Sequence, residues 1–499
     1  MADSGHSGGH DGIGHDQPQP FGAGKSACAS GAGPWNRLCR RGQSRQSANH
    51  LRTGQGQAAG TAALSGAVGP LQSGGGHART IRSGGLPLSA VWHPFTQHAT
   101  EPDPLRIASS EGAYLFTEDG RTILDGISSW WVVTHGHRQP EIVEAIQQTA
   151  SRLDQVIFAG LTHEPAEELA EALVEVAPAG LSRVFYSDSG STAVEVALKM
   201  ALGYWRHAGD GRHRIAVIED SYHGDTIGTM SVGERSVFNA AYDPLMFAVD
   251  KLPCPADDGQ ATLQAFEALA ETGEMAALIL EPLVLGAGGM RMYPPEVLAG
   301  LRAICDRHDV LMIADEVMTG WGRTGRLWAC DHAGIAPDIL CTSKGLTGGV
   351  VPLAVTLASE RIFQAHYSTD RRRTFYHSSS YTANPIACAA ALAQVRLWRE
   401  RDMAGILDNL SRMQGDHLAD LQRDDRFENA RQCGTIAALD LKVSDGGYLA
   451  ETGPRMRAHF LRQGVLLRPL GNTVYVLPPY CVTSGDLDLA WSAIASFEG

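Results

Sequence analysis

Lysine is almost missing from this chain. Across 499 residues only Lys25, Lys199, Lys251, Lys344 and Lys442 occur, so chemistry that needs a primary amine has few places to reside. Also missing is an apolar run of the ~20 residues that a membrane span requires. The nine cysteines are scattered, with no Cys-x-x-Cys pair, which disfavours a disulfide frame or a zinc knuckle. Thiols kept reduced, and hence a cytoplasmic protein, are the expectation. Positive charge is in deficit as well. A formal net charge of −14 argues against a protein built to grip nucleic acid or an anionic membrane. What remains is an ordinary globular composition, 43% hydrophobic and 19% charged, long enough for two or three domains.

Residues 1–85 stand apart. They are rich in Gly, Ser, Ala, His and Gln and poor in Ile, Leu and Val, a composition that cannot offset the entropy of ordering it. They are read as a disordered extension, and His6, His10 and His15 as part of a solvated tail rather than a metal site, so no metal is expected. From Trp92 onward short apolar runs alternate with amphipathic stretches. The runs are Arg183–Tyr186, Ile215–Ile218, Ala277–Leu280, Val310–Ala314, Ile339–Cys341 and Leu353–Leu357; helices are expected from about Ser191 and over Pro295–His308. This alternation predicts an α/β fold: a large, mostly parallel sheet covered by helices. A helix over Met403–Gln422 and strands at Thr435–Leu441 and Val474–Leu477 predict a smaller α+β domain. The division expected is 86–127 as the N-terminal part of the small domain, 128–400 as the large domain and 401–499 as the C-terminal part of the small one.

Of the five lysines, Lys344 alone ends a buried apolar strand, Asp338-Ile-Leu-Cys-Thr-Ser-Lys344, and precedes a Gly348-Gly349 turn. In open α/β sheets that strand end is where ligands bind. A Schiff-base enzyme needs one such amine, desolvated enough to be neutral; a structural lysine is the alternative. Val310-Leu-Met-Ile-Ala-Asp315-Glu316 is a second buried strand ending in carboxylates. It precedes Lys344 by one strand–crossover–strand distance. A carboxylate facing a pyridinium nitrogen keeps the ring protonated and electron-withdrawing, although Asp315 could equally cap the next helix. Ser187-Asp-Ser-Gly190-Ser191-Thr192 joins a strand to a helix and could cradle a phosphate or merely cap. Tyr222, in Tyr222-His223-Gly224-Asp225, could stack on a planar ring or simply pack.

Together these segments resemble the class III aminotransferases of fold type I, over residues 92 to 482. Leu311-Met-Ile-Ala-Asp-Glu-Val-Met-Thr-Gly-Trp-Gly-Arg-Thr-Gly325 with Pro337-Asp-Ile-Leu-Cys-Thr-Ser-Lys344 is close to that family's signature. The resemblance implies pyridoxal 5′-phosphate as cofactor, bonded as an imine to Lys344. Asp315 then pairs with the ring nitrogen, Gly190 and Ser191 hold the phosphate, and Tyr222 stacks on the ring. It also implies a homodimer.

Trp92-His93-Pro94-Phe95-Thr96, Trp130-Trp131, Phe158–His163, Gly286–Tyr293 and Leu467-Arg468-Pro469 are similar to the branch that aminates 8-amino-7-oxononanoate in biotin biosynthesis. S-Adenosylmethionine is the donor this implies, with another amine such as lysine left open. Trp130 and Trp131 would wall the substrate pocket, and Arg468 would receive the keto acid's carboxylate. Without the resemblance, Trp130-Trp131 reads as a core pair.

Three departures from the family pattern stand out. Phe95 replaces a tyrosine that takes part in substrate recognition. His377-Ser378-Ser379-Ser380-Tyr381 replaces a glycine-containing motif, with Ser378 placed at the substrate and Ser379 and Ser380 at the phosphate, Ser380 from the neighbouring subunit. Gly286-Ala287-Gly288 lacks the glutamate of ω-amino-acid enzymes. A decarboxylase or aminomutase on the same scaffold, or a non-catalytic relative, are the alternative readings.

Overall fold

The computed structural model describes residues 89–498, which fall into two units divided after Thr100: residues 89–100 and residues 101–498. The expected disordered extension, Lys25 and the early histidines lie outside the described residues. In the first unit, residues 89–100 form turns: Thr96 Oγ1 donates to the Pro94 carbonyl at 2.9 Å, and the His93 amide donates to His98 Nε2 at 3.1 Å. Phe95 sits here, 43% exposed and with φ 49°.

The second unit opens with three strands, β1 (Ile107–Glu111), β2 (Tyr114–Thr117) and β3 (Thr122–Asp125). Next in order are β4 (Leu181–Ser187), β5 (Arg214–Ile218), β6 (Asp250–Leu252) and β7 (Met275–Leu280). A short hairpin, β8 (Val284–Leu285) and β9 (Arg291–Met292), precedes β10 (Leu311–Asp315), β11 (Ile339–Thr342) and β12 (Ala354–Ser359). The last strands are β13 (Phe427–Cys433), β14 (Ile436–Leu441), β15 (Val465–Leu466) and β16 (Thr473–Val476).

Seven of these make the principal sheet, in the order β4-β12-β11-β10-β7-β5-β6. Its neighbours pair in parallel except at β12, which runs antiparallel to both β11 and β4. The mostly parallel sheet expected from the apolar runs is therefore present, with one reversed strand. Its central members are fully buried, as in Met275–Leu280 and Leu311–Asp315, because helices cover both faces and leave no room for a polar alternation. Each fully buried Leu or Ile there contributes roughly 1.5–3 kcal/mol. β1, β2, β3 and β15 form a second sheet, and β13, β14 and β16 a third. Lys251 lies within the edge strand β6.

Two features set the site. The helix Gly190–Ala208 begins directly after β4; Ser189 and Thr192 cap it reciprocally, and Gly209 ends it in a left-handed conformation. Asp338, at the start of β11, accepts the Met312 amide of β10 at 2.9 Å and the Arg302 guanidinium at 2.8 Å. That bridge fixes the register in which Asp315 lies beside Cys341. Among the described residues no helix is long and apolar enough to cross a membrane.

Candidate active site

The carboxyl ends of five neighbouring or near-neighbouring strands deliver the polar groups. β11 leads through Ser343 into the 3-10 turn Lys344–Thr347, and Lys344 itself has φ 44°. The Ser343 hydroxyl anchors this turn on the Leu353 carbonyl at 2.7 Å. Lys344 Nζ lies 4.8 Å from the centroid of the Trp131 ring. Desolvation drives the amine's pKa down to about 8, offsetting the opposite pull of Asp315 and Glu281, with Arg323 adding to the lowering.

β10 ends in Asp315, 5% exposed. One carboxylate oxygen accepts the Val317 amide at 3.1 Å; the other lies 2.7 Å from His223 Nδ1. No helix follows β10 directly, so Asp315 is not a helix cap; its carboxylate is tied to a histidine instead. The far ring nitrogen, His223 Nε2, is buried without a partner, as are Ser187 Oγ at the end of β4 and Ser221 Oγ beyond β5. Unpaired buried polar atoms of this kind call for a ligand or a water. β7 ends at Leu280, and the next residue, Glu281, is buried and accepts the amides of Tyr222 and Gly286, both at 2.9 Å. Burial, chiefly, pushes its carboxyl up to about 7.

Tyr222 follows β5 with 38% of its surface exposed, and desolvation raises its hydroxyl pKa. Gly224 (φ 127°) is pressed so close to the start of the helix after β4 that a Cβ there would lie 2.1 Å from Ser191 Oγ. Gly190 and Ser191 open the helix after β4, where amides and the helix dipole favour an anion. Ser379 Oγ donates to Asp188 at 3.0 Å, beside that helix start, and Ser378 Oγ lies 3.3 Å from Thr382 Oγ1. The Ser380 carbonyl accepts from Gln155 at 2.7 Å.

The two tryptophans divide. Trp131 is a core residue, 4% exposed, whose indole N–H donates to the Tyr475 hydroxyl at 3.1 Å. Trp130 is 38% exposed, with the Arg468 guanidinium 4.9 Å from its ring centroid. Of the residues singled out from sequence, Lys344, Asp315, Tyr222, Gly190, Ser191, Trp130, Trp131 and Arg468 all belong to the second unit; Phe95 belongs to the first.

Sequence reasoning met His223, Asp125 and Arg323 within motifs without giving them a partner, and passed over Glu281. Glu281 directly follows a buried strand, as Asp315 ends one, so the same strand-end logic could have found it. An amine of lowered pKa, a carboxylate–histidine pair, unpartnered buried polar atoms and an open helix start together fit a phosphorylated pyridine aldehyde.

Known proteins point the same way. The family model described as aminotransferase class-III matches residues 95–497. The chain is 50% identical over 414 residues to an adenosylmethionine-8-amino-7-oxononanoate aminotransferase of Synechococcus elongatus, covering 81% of this chain and 97% of that protein. The crystal structure of an adenosylmethionine-8-amino-7-oxononanoate aminotransferase from Methanocaldococcus jannaschii matches with a TM-score of 0.78 at 34% identity, over 82% of this chain and 97% of that one. An amine transaminase from an uncultivated Pseudomonas species, solved with pyridoxal phosphate bound, gives the same TM-score and identity over 82% and 98%.

Proposed function

This chain belongs to the class-III aminotransferases, and from that premise we propose that it moves an amino group from S-adenosylmethionine to 8-amino-7-oxononanoate, forming 7,8-diaminononanoate for biotin synthesis. That it is a pyridoxal-phosphate-dependent transaminase follows from the family and from relatives matched along nearly their whole length. The observation that carries the substrate reading is the pairing of Arg468 with the exposed Trp130 in the second unit. An indole wall suits an alkyl chain or a sulfonium, and a guanidinium fork suits the distant carboxylate of a long keto acid.

In this reading Lys344 would hold the cofactor, Asp315, tied to His223, would pair with its ring nitrogen, Tyr222 would stack on the ring, and Gly190, Ser191, Ser379 and Ser380 would hold the phosphate. Bound pyridoxal phosphate supplies an electron sink that acidifies the C–H bond beside the transferred amine. Lys344 Nζ, set free when the donor's amine takes its place and kept partly neutral by its surroundings, would remove that proton from the donor. In the second half-reaction the same Nζ returns a proton to the carbon that had been the acceptor's ketone. Arg468 fixes the acceptor's far end, so binding energy remote from the reacting carbon sets its position. Trp131 shields the amine from water. Ser378 borders the substrate, and Phe95 takes the position of a recognition tyrosine by resemblance alone.

We further propose a cytoplasmic homodimer in which Ser380 reaches the partner's phosphate, and a division of the chain into a large domain, 128–400, and a small one to which 86–127 and 401–499 belong.

The test is a panel of amino donors, S-adenosylmethionine and lysine included, offered with 8-amino-7-oxononanoate and read by mass spectrometry. Formation of the diamine is expected. Turnover of simple amines without any diamine overturns the acceptor assignment.

A further inference from the structure

Residues Ser128, Ser129, Trp130 and Trp131 all have positive φ, at 53°, 48°, 79° and 71°. Four consecutive residues with side chains, none of them glycine, are thereby held in a region that L-residues avoid. Such a turn persists only where its surroundings over-determine it, and here they do. Asp125, fully buried, accepts the Ser129 amide at 2.8 Å and the Ser129 hydroxyl at 2.7 Å, and lies 2.9 Å from His137 Nε2. On the other side Arg323, 1% exposed, donates to the carbonyls of Trp131 (3.2 Å), Val133 (2.9 Å) and Pro478 (3.0 Å). Ser128 Oγ donates to the Leu477 carbonyl at 2.8 Å. The segment beyond the turn is pressed onto the lysine loop: a Cβ on Gly349 would lie 2.7 Å from the Val132 carbonyl carbon.

We infer that Asp125 and Arg323 are positioning residues, which force Ser128–Trp131 into a left-handed turn so that its two indoles face different partners. The turn sets Trp131 against the Lys344 amine and Trp130 against the Arg468 guanidinium. Neither clamp residue touches a reacting atom. Their effect is on acceptor binding, because a right-handed backbone over the same four residues would rotate both rings away. This inference rests on reading Trp130, Trp131 and Arg468 as the substrate pocket.

The test compares Ser129→Gly with Ser129→Val in the holoenzyme. Both variants lose the hydroxyl, and both keep the amide that bonds Asp125. Glycine adopts positive φ freely, whereas a β-branched residue resists it. The KM for 8-amino-7-oxononanoate is expected to be about tenfold higher in Ser129→Val than in Ser129→Gly, with kcat differing by less than about threefold. Near-ultraviolet circular dichroism of the indoles should change in the valine variant alone. A second arm places Ser129→Gly in an Asp125→Asn background. There glycine should recover most of the KM lost to Asp125→Asn, although glycine ordinarily lowers stability. Equal KM values for the glycine and valine variants, or no recovery in the double variant, overturn the inference. Arg468→Ala serves as the control: if it too leaves the acceptor KM unmoved, the pocket reading has failed rather than the turn.

Discussion

The carboxyl edge of the principal sheet and the Ser128–Trp131 turn are built on opposite plans. At the sheet edge, Asp315 ends a buried strand and Glu281 and Lys344 follow one, and regular parallel pairing brings β10 and β11 side by side. At the turn, the backbone is irregular and its geometry is imposed by residues far along the chain, Arg323 and Leu477 among them. The first region tunes titratable groups by burying them; the second aims aromatic surfaces by straining a backbone. Loss at the edge should therefore abolish chemistry, whereas loss at the turn and its partners should change which acceptor is held and how tightly.

The comparison breaks first at Lys344. Lys344→Ala should lower kcat by about 10⁴-fold or more, since among the described residues no other lysine follows a strand of the principal sheet at this edge. Single-turnover kinetics check this, and retained turnover would mean the edge is not where the chemistry occurs. A smaller effect is expected at Arg468. Arg468→Ala should raise the KM for the keto acid by about 10- to 100-fold, the loss of a charge-assisted hydrogen-bonded pair, while the donor KM stays within about threefold. Equal effects on donor and acceptor would erase the distinction between the two regions.

The smallest effect is in pH. With the amine held near 8 rather than at the ordinary 10.5, it is the protonated form that burial disfavours. About half of the amine is then neutral at pH 8, against under about 1% for an unperturbed lysine. The rate at which apoenzyme captures pyridoxal phosphate should rise with pH to a midpoint near 8, read by absorbance. A midpoint near 10 would show the amine to be effectively solvated.

The two regions also differ in how far they could be read beforehand. Apolar runs marked β5, β7, β10 and β11 to within a residue or two, because strands buried on both faces leave an unbroken signature. Rarity and strand position then isolated Lys344. The reversal of β12 left no such trace, since a buried run looks the same in either direction. The His223–Asp315 contact spans 92 residues of sequence, and nothing local announces it. Still less visible was the left-handed turn. Serine and tryptophan carry no preference for positive φ, so its conformation is written in Asp125 and Arg323 rather than in its own residues.

The reversed strand has a further consequence, in the order in which the enzyme can be assembled. Of the seven strands in the principal sheet, β4 is the first to be synthesised and β12 the last, yet β4 pairs with β12 alone. The strand β4 therefore has no partner in the sheet until every other strand of that sheet has left the ribosome. A nascent chain halted before residue 354 lacks the one sheet partner of β4, which is then held to the other strands only through the helix that follows it, where the Ala193 carbonyl accepts from Cys341 Sγ of β11 at 3.5 Å; closure of this edge of the sheet belongs to the end of folding.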